Sequence, residues 1–197
     1  MNKDVLRKVF LEKRLSLSED EWTRRNDMLF NQFVRGVSLD NIKVFHSFLP
    51  IIKKREPDTW RLIEFLQMEH PEIKVAVSRT LWKEKIMENY LLDKRERMVV
   101  NGLGIPEPVA GKKIDDKSID MVVVPLIIFD KQGNRLGYGK GFYDTFFNNC
   151  RPDVIKAGLS LGTPLDFIPY MERHDIKLDC CVTPFGVWDF RENIVNS

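Results

Sequence analysis

An α/β domain on a layered sheet is the fold that this sequence predicts. Three observations carry the prediction. Short strand-like runs alternate with helical segments from residue 42 onward. One of them, "DMVVVPLIIFD" (120–130), is apolar enough to be a central strand. That run leads through the turn "DKQGN" into "GNRLGYGKGFYD" (133–144), a glycine-rich segment that opens a helix.

Each element has a local reason. Residues 3–15 read as an amphipathic helix with Val5, Leu6 and Val9 clustered on one side, and with Lys3, Arg7 and Arg14 on another. Ser18 followed by Glu21 forms a capping box that starts a second helix. That helix carries Trp22, Leu29 and Phe33 at near-helical spacing and stops at Gly36. "IKVFHSFLP" (42–50) reads as a strand and loop, "DTWRLIEFLQ" (58–67) as a helix and "IKVAVS" (73–78) as a strand. Residues 82–100 fit either short strands or a helix, and "NGLGIPEP" (101–108) is loop. "FYDTFFNNC" is helical, "DVIKAGLS" (153–160) a strand, and "CCVTPFGV" (180–187) the last strand.

Size and composition narrow the function classes. A chain of 197 residues, 43% hydrophobic and 30% charged, suits one globular domain, taken here as 1–197. A net charge of +2 gives no strong pull toward nucleic acid or anionic membrane. Cys150, Cys180 and Cys181 make no CxxC pair and no evident disulfide framework, which indicates a reducing compartment. The N-terminal "MNKDVLRKVFLEKR" lacks the apolar core of a signal peptide, and the longest apolar run is far too short to span a bilayer. A cytoplasmic protein without membrane or nucleic-acid partners is expected.

The glycine segment carries the chemistry. Strand, turn, glycine loop and helix form a phosphate cradle, in which backbone N–H groups approach an anion and the helix N-terminus adds partial positive charge. Arg135 and Lys140 add full charges. The spacing G-x-G-x-G matches neither the Walker A nor the dinucleotide pattern, and a purely structural loop is the competing reading. Asp144, in the first helical turn, fits either a dipole-compatible acid or a Mg²⁺ ligand beside phosphate.

These residues resemble a known family. "VVVPLIIFDKQGNRLGYGKGFYD" closely resembles the "PxxxFDxxGxRLGxGxGxYD" signature of the 5-formyltetrahydrofolate cyclo-ligase family. Lys3, Arg7 and then Arg14 resemble its basic first helix. "FLPIIKKREPDT" (48–59), "GLGIPEP" and "ERHDIKLDCCVTPFGV" resemble further blocks in order along nearly the whole chain. The resemblance implies ATP- and Mg²⁺-dependent closure of 5-formyltetrahydrofolate to 5,10-methenyltetrahydrofolate, through a phosphorylated formyl group. It implies a mixed, mostly parallel sheet with helices on both faces, near the sugar-phosphate isomerases and CoA transferases, and small-molecule substrates bound by a monomer.

The site residues follow from the same resemblance. Lys3, Arg7 and Arg14, with Arg135, Leu136, Gly137, Tyr138, Gly139, Lys140, Gly141, Phe142 and Tyr143, resemble the family's ATP-binding residues. Lys140 or Arg135 would offset charge on the transferring phosphoryl group. Asp144 and Asp175 resemble the Mg²⁺ ligands, with His174 orienting the loop. Leu49 and Glu56 resemble the folate contacts, together with the segment from Tyr138 through Phe142. Tyr138, Phe142 and Tyr143 offer flat faces to pterin or benzoyl rings, with core packing as the alternative for Phe142. "IIKKREPDT" holds more residues before Glu56 than the family spacing, and its Lys53, Lys54 and Arg55 either meet an anionic glutamate tail or form a solvated loop. Two rival functions stand beside this one. The first is an ATP-dependent activator of another amide or acid on the same scaffold. The second is a non-catalytic nucleotide- or RNA-binding protein, whose affinity would fall steeply with salt.

Overall fold

The computed structural model describes residues 2–93, 97–102, 104–169, 171–172 and 175–191. Four helices are present among them: α1 (Lys3–Leu15), α2 (Glu19–Gly36), α3 (Trp60–Glu69) and α4 (Phe142–Asn149). The strands are β1 (Val44–His46), β2 (Lys74–Leu81), β3 (Ile86–Leu91), β4 (Met98–Val100), β5 (Pro106–Pro108), β6 (Met121–Pro125), β7 (Ile128–Phe129), β8 (Arg135–Leu136), β9 (Ile155–Leu159), β10 (Cys180–Thr183) and β11 (Gly186–Asp189). The main sheet has the order β11-β10-β9-β6-β1-β2-β3. β1 runs parallel to β2 and β6, and β9 parallel to β10, while β3 and β11 are antiparallel to their neighbours. This is the mixed, mostly parallel α/β sheet that the sequence predicts.

Two compact units make up the chain: Met1–Ser38, Val124–Lys140 and Lys156–Ser197 form one, and Leu39–Val123 with Gly141–Ile155 the other. In the first unit, Asn2 caps α1 by accepting from the Val5 N–H at 2.9 Å. Leu6 and Phe10, one turn apart, pack with Ile128, Leu136, Leu165, Ile168 and Met171. Val5 and Val9, expected to share the buried side, are 43% and 44% exposed. Their row lies about 100° around the helix from the Leu6–Phe10 row, so only one of the two can face the core. Ser18 accepts from the Glu21 N–H at 3.1 Å, but the reciprocal half of the expected capping box is missing. The Glu21 carboxylate is drawn instead to Arg24 and Arg25, one turn further on. Gly36, the last residue of α2, leaves room for a neighbour: a Cβ there would lie 2.7 Å from Val187 Cγ2.

The second unit carries β1, β2, β3 and most of β6. Val122, Val123 and Val124 of β6 are fully buried, as a centrally placed strand requires. α3 packs on β2 and α4 on β3.

Four sequence expectations change in detail, the first being that the expected loop 101–108 ends in the strand β5, which pairs with β4. The run 120–130 is two strands rather than one. β6 ends at Pro125, which has no N–H to donate to a ladder, and β7 begins at Ile128. Segment 82–100 holds the strands β3 and β4, with residues 94–96 outside the described residues. The expected last strand is the hairpin β10–β11, which turns where Thr183 Oγ1 accepts from the Phe185 N–H and donates to the Gly186 carbonyl. All three cysteines are buried thiols.

Asp130 organises the turn between β7 and β8. Its carboxylate is fully buried and accepts four hydrogen bonds: from the Gln132 N–H at 2.9 Å, the Asn134 N–H at 3.0 Å, the Asn134 side-chain amide at 2.8 Å and the Ile168 N–H at 2.8 Å. A buried carboxylate is tolerable only when so satisfied. Asp130→Asn turns one of those acceptors into a donor facing an N–H. Denaturant unfolding of this variant is expected to show a loss of about 3 kcal/mol.

Candidate active-site residues

In the first unit, α1 and the β7–β8 hairpin place most of the predicted nucleotide-binding residues. Ile128 pairs with Leu136 and Phe129 with Arg135, so the hairpin delivers the chain straight into Gly137. The basic face of α1 meets this segment. Arg7 donates from Nε to the Gly137 carbonyl at 3.0 Å and pairs through Nη1 with Asp4 at 2.5 Å. Arg14 is buried, although the sequence places it on the same basic face as Lys3 and Arg7. It donates to the Leu126 carbonyl at 3.0 Å and to the Tyr138 hydroxyl at 2.5 Å. Arg135 is also buried, and its guanidinium donates to the Ile176 carbonyl. Leu136 belongs to the apolar cluster under α1. Gly139 and Lys140 are exposed.

The glycines differ in what they require. Gly139 has φ +76°, and a Cβ there would stand 3.0 Å from Arg7 Cζ. Gly141 has the same left-handed φ of +76°, with nothing within 4 Å of a Cβ among the described residues. Gly137 has neither a positive φ nor a tight neighbour. The left-handed backbone is what disfavours a side chain at position 139, where the nearest neighbour is the guanidinium of Arg7, while a Cβ at Gly141 would meet nothing among the described residues.

Asp175 is held from two sides: its Oδ2 accepts from Lys3 Nζ at 2.9 Å and from the Glu172 N–H at 2.7 Å. Lys3 also reaches Glu172 at 3.3 Å. Burial works to lower the Lys3 pKa, but the two carboxylates outweigh it and raise the ammonium above its ordinary value. His174, expected to orient this loop, lies outside the described residues.

In the second unit, Gly141 is the N-cap of α4, which carries Phe142, Tyr143 and Asp144 in its first turn. All three are partly buried. Phe142 meets Trp82 edge-on at 5.0 Å between centroids. Tyr143 sits among Phe146, Phe147 and His46 at 6.1–6.4 Å. Leu49 and Glu56 are buried, and Glu56 Oε2 accepts from the Ile51 N–H at 2.6 Å. Glu56 is thus no exposed acid: it closes the loop that contains the 3₁₀ turn Ile52–Lys54 and the left-handed Arg55 (φ 48°).

Sequence reasoning missed a polar chain beneath this unit. His46 Nε2 lies 2.7 Å from Ser78 Oγ, which donates to Asn89 Oδ1, and Asn89 donates to Asp116. Because the serine proton is committed to Asn89, His46 is the donor through Nε2. Burial pushes the His46 pKa down to about 4, so the ring is neutral at ordinary pH. Alternating polar residues on β2 and β3 are a faint signal for it. The sequence marks "DKQGN" as a turn but not that Asp130 is the buried carboxylate that organises it. Among the described residues no group of three or more His, Cys, Asp or Glu gathers to hold a metal.

The positive φ at Gly139 generates a prediction independent of any ligand. Gly139→Ala forces a Cβ into left-handed backbone and against Arg7. It is expected to cost about 1–2 kcal/mol in chemical denaturation.

Comparison with known proteins bears on what these residues do. A sequence model of the 5-formyltetrahydrofolate cyclo-ligase family matches residues 1–184. A probable 5-formyltetrahydrofolate cyclo-ligase of Schizosaccharomyces pombe is 35% identical over 115 residues, covering 50% of this chain and 56% of that protein. The chain thus spans little more than half the length of this relative. A mitochondrial 5-formyltetrahydrofolate cyclo-ligase of Arabidopsis thaliana is 23% identical over 94% of this chain and 79% of its own. The solved structure of Aquifex aeolicus 5,10-methenyltetrahydrofolate synthetase superposes with a TM-score of 0.80 at 28% identity, over 97% of this chain and 94% of its own. The family match runs through α1, the glycine segment and the Asp175 loop alike, and on that ground the chain belongs to the 5-formyltetrahydrofolate cyclo-ligase family.

Proposed function

We propose that this protein is an ATP- and Mg²⁺-dependent 5-formyltetrahydrofolate cyclo-ligase that forms 5,10-methenyltetrahydrofolate, ADP and phosphate. The observation that carries the reading is the glycine segment. Arg7 braces it at Gly137 and lies against Gly139, and Lys140 is exposed; in the second unit Gly141 caps α4, with nothing within 4 Å of a Cβ among the described residues. Open backbone, a cation and a helix N-terminus are the ingredients of a polyphosphate site.

The chemistry explains why such a site is needed. A formamide oxygen is a poor leaving group. Transfer of the γ-phosphoryl group of ATP to that oxygen releases ADP and leaves an iminium phosphate. N10 then attacks the formyl carbon, the C–O bond breaks toward phosphate, and the N10 proton is released with it. Positioning and charge neutralisation make up most of the protein's task. In this reading Lys3, Arg7 and the Arg135–Tyr143 segment bind ATP, and Lys140 or Arg135 offsets charge on the phosphoryl group. Arg135 would do so from a buried position already tied to the Ile176 carbonyl.

Asp144 and Asp175 suit Mg²⁺ because the ion takes hard oxygen donors. With nucleotide phosphates and water it needs only one or two protein carboxylates. Bound there, Mg²⁺ would neutralise phosphate charge. On the folate side, Leu49 and Glu56 would meet the pterin. A carboxylate has about four lone-pair directions, and Glu56 uses one of them on the Ile51 N–H from a buried position.

The direct test mixes purified protein with 5-formyltetrahydrofolate, Mg²⁺ and ATP, and follows the methenyl product by its absorbance. An ATP-dependent rise is expected, and its absence at saturating substrate would overturn the reading. Asp144→Ala is expected to abolish turnover while the protein still folds, because its loss removes a proposed metal ligand. Glu56→Gln is expected to raise KM for the folate at least about tenfold while KM for ATP stays within about twofold. Equal effects on both substrates would remove Glu56 from the folate side.

A further inference from the structure

We propose that Arg14 is a positioning residue. It closes the mouth of the β7–β8 hairpin and, through the Tyr138 hydroxyl, fixes the backbone of Gly137–Lys140. The inference rests on the proposed function only for its kinetic readout.

The geometry is specific. Arg14 is 8% exposed, and its two terminal nitrogens serve two different partners: Nη1 the Leu126 carbonyl at 3.0 Å and Nη2 the Tyr138 hydroxyl at 2.5 Å. Leu126 and Tyr138 stand just outside the last hairpin bond, from the Ile127 N–H to the Leu136 carbonyl at 2.8 Å. Arg14 therefore ties together the strand entering the hairpin and the strand leaving it. Arg7, seven residues earlier on the same helix face, takes the Gly137 carbonyl and lies against Gly139. One face of α1 thus touches residues 137, 138 and 139 in succession.

Arg14 is buried with both terminal nitrogens engaged by the protein. Its planar fork can span two divergent acceptors, which the single ammonium of lysine cannot. That difference separates positioning from simple charge.

Hydrogen exchange of the nucleotide-free protein, read on peptides covering 137–141, tests the tether. Tyr138→Phe deletes one oxygen and Arg14→Lys keeps the charge, so both variants should fold. Exchange in that segment is expected to accelerate about tenfold in each. The double variant should exchange no faster than Arg14→Lys alone, because both changes break one tether. In turnover, KM for ATP should rise about tenfold in each variant, again without compounding in the pair. Wild-type exchange in Tyr138→Phe would overturn the proposal. So would recovery of wild-type KM by Arg14→Lys, or losses that multiply in the pair, since either would place Arg14 on the nucleotide itself. Absence of ATP-dependent turnover in the wild-type protein would instead overturn the cyclo-ligase reading, and the exchange result would still judge the tether.

Discussion

A two-strand hairpin pinned by a buried charge at each end is the constraint on which the first unit depends. At its turn the Asp130 carboxylate gathers three backbone N–H groups and one side-chain amide. At its mouth the Arg14 guanidinium spans Leu126 and Tyr138. β7 and β8 are two residues each, too short to define their own geometry by ladder bonds. Buried charges do it instead: leaving either one unsatisfied is expensive, so the surrounding backbone has one arrangement that works. The apolar cluster of Leu6, Ile128, Leu136 and Ile168 then seals the hairpin against α1.

Left-handed backbone and bracing meet at the glycine segment that leaves this hairpin. Gly139 is held in left-handed backbone with a guanidinium against it, and Gly141 turns the same way to start α4. The basic face of α1 is largely occupied by the protein itself. Lys3 holds Asp175, Arg7 holds Gly137, and Arg14 is internal. Most basic runs on helices are solvated faces; here the charges form internal contacts that order a loop. In the proposed reaction, such order supplies what phosphoryl transfer asks of a protein, which is fixed geometry and fixed dipoles.

The second unit solves a similar problem with hydrogen-bonded side chains. His46, Ser78, Asn89 and Asp116 form a polar chain running from β1 across β2 and β3 to the 3₁₀ turn at Asp116. Its direction is set by the serine proton, and burial keeps His46 neutral. Glu56 closes its loop through the Ile51 N–H, and Thr59 donates to the Phe48 carbonyl beside it. These bonds shape the loop in which Leu49 and Glu56 are offered to the folate in the proposed function.

Local pattern alone determined the class of fold, the places of α1 to α4, the central burial of Val122–Val124 and the glycine segment before a helix. These rest on periodicity, turn chemistry and missing side chains, which are properties of neighbouring residues. The same local logic misjudged the run 120–130, where a missing proline N–H outweighed hydrophobicity, and the side of α1 that faces the core. Only the tertiary structure decided that Val5 and Val9 point outward, that Arg14 is buried, that Glu56 is internal and that Arg7 is what lies against Gly139. Val5, Val9, Arg14 and Arg7 are decided by partners more than 100 residues away, and Glu56 by a bond to the Ile51 N–H that residue type alone does not announce. A charged side chain reads the same in sequence whether its donors will meet water or a carbonyl. Its role is fixed only when the fold brings the acceptor.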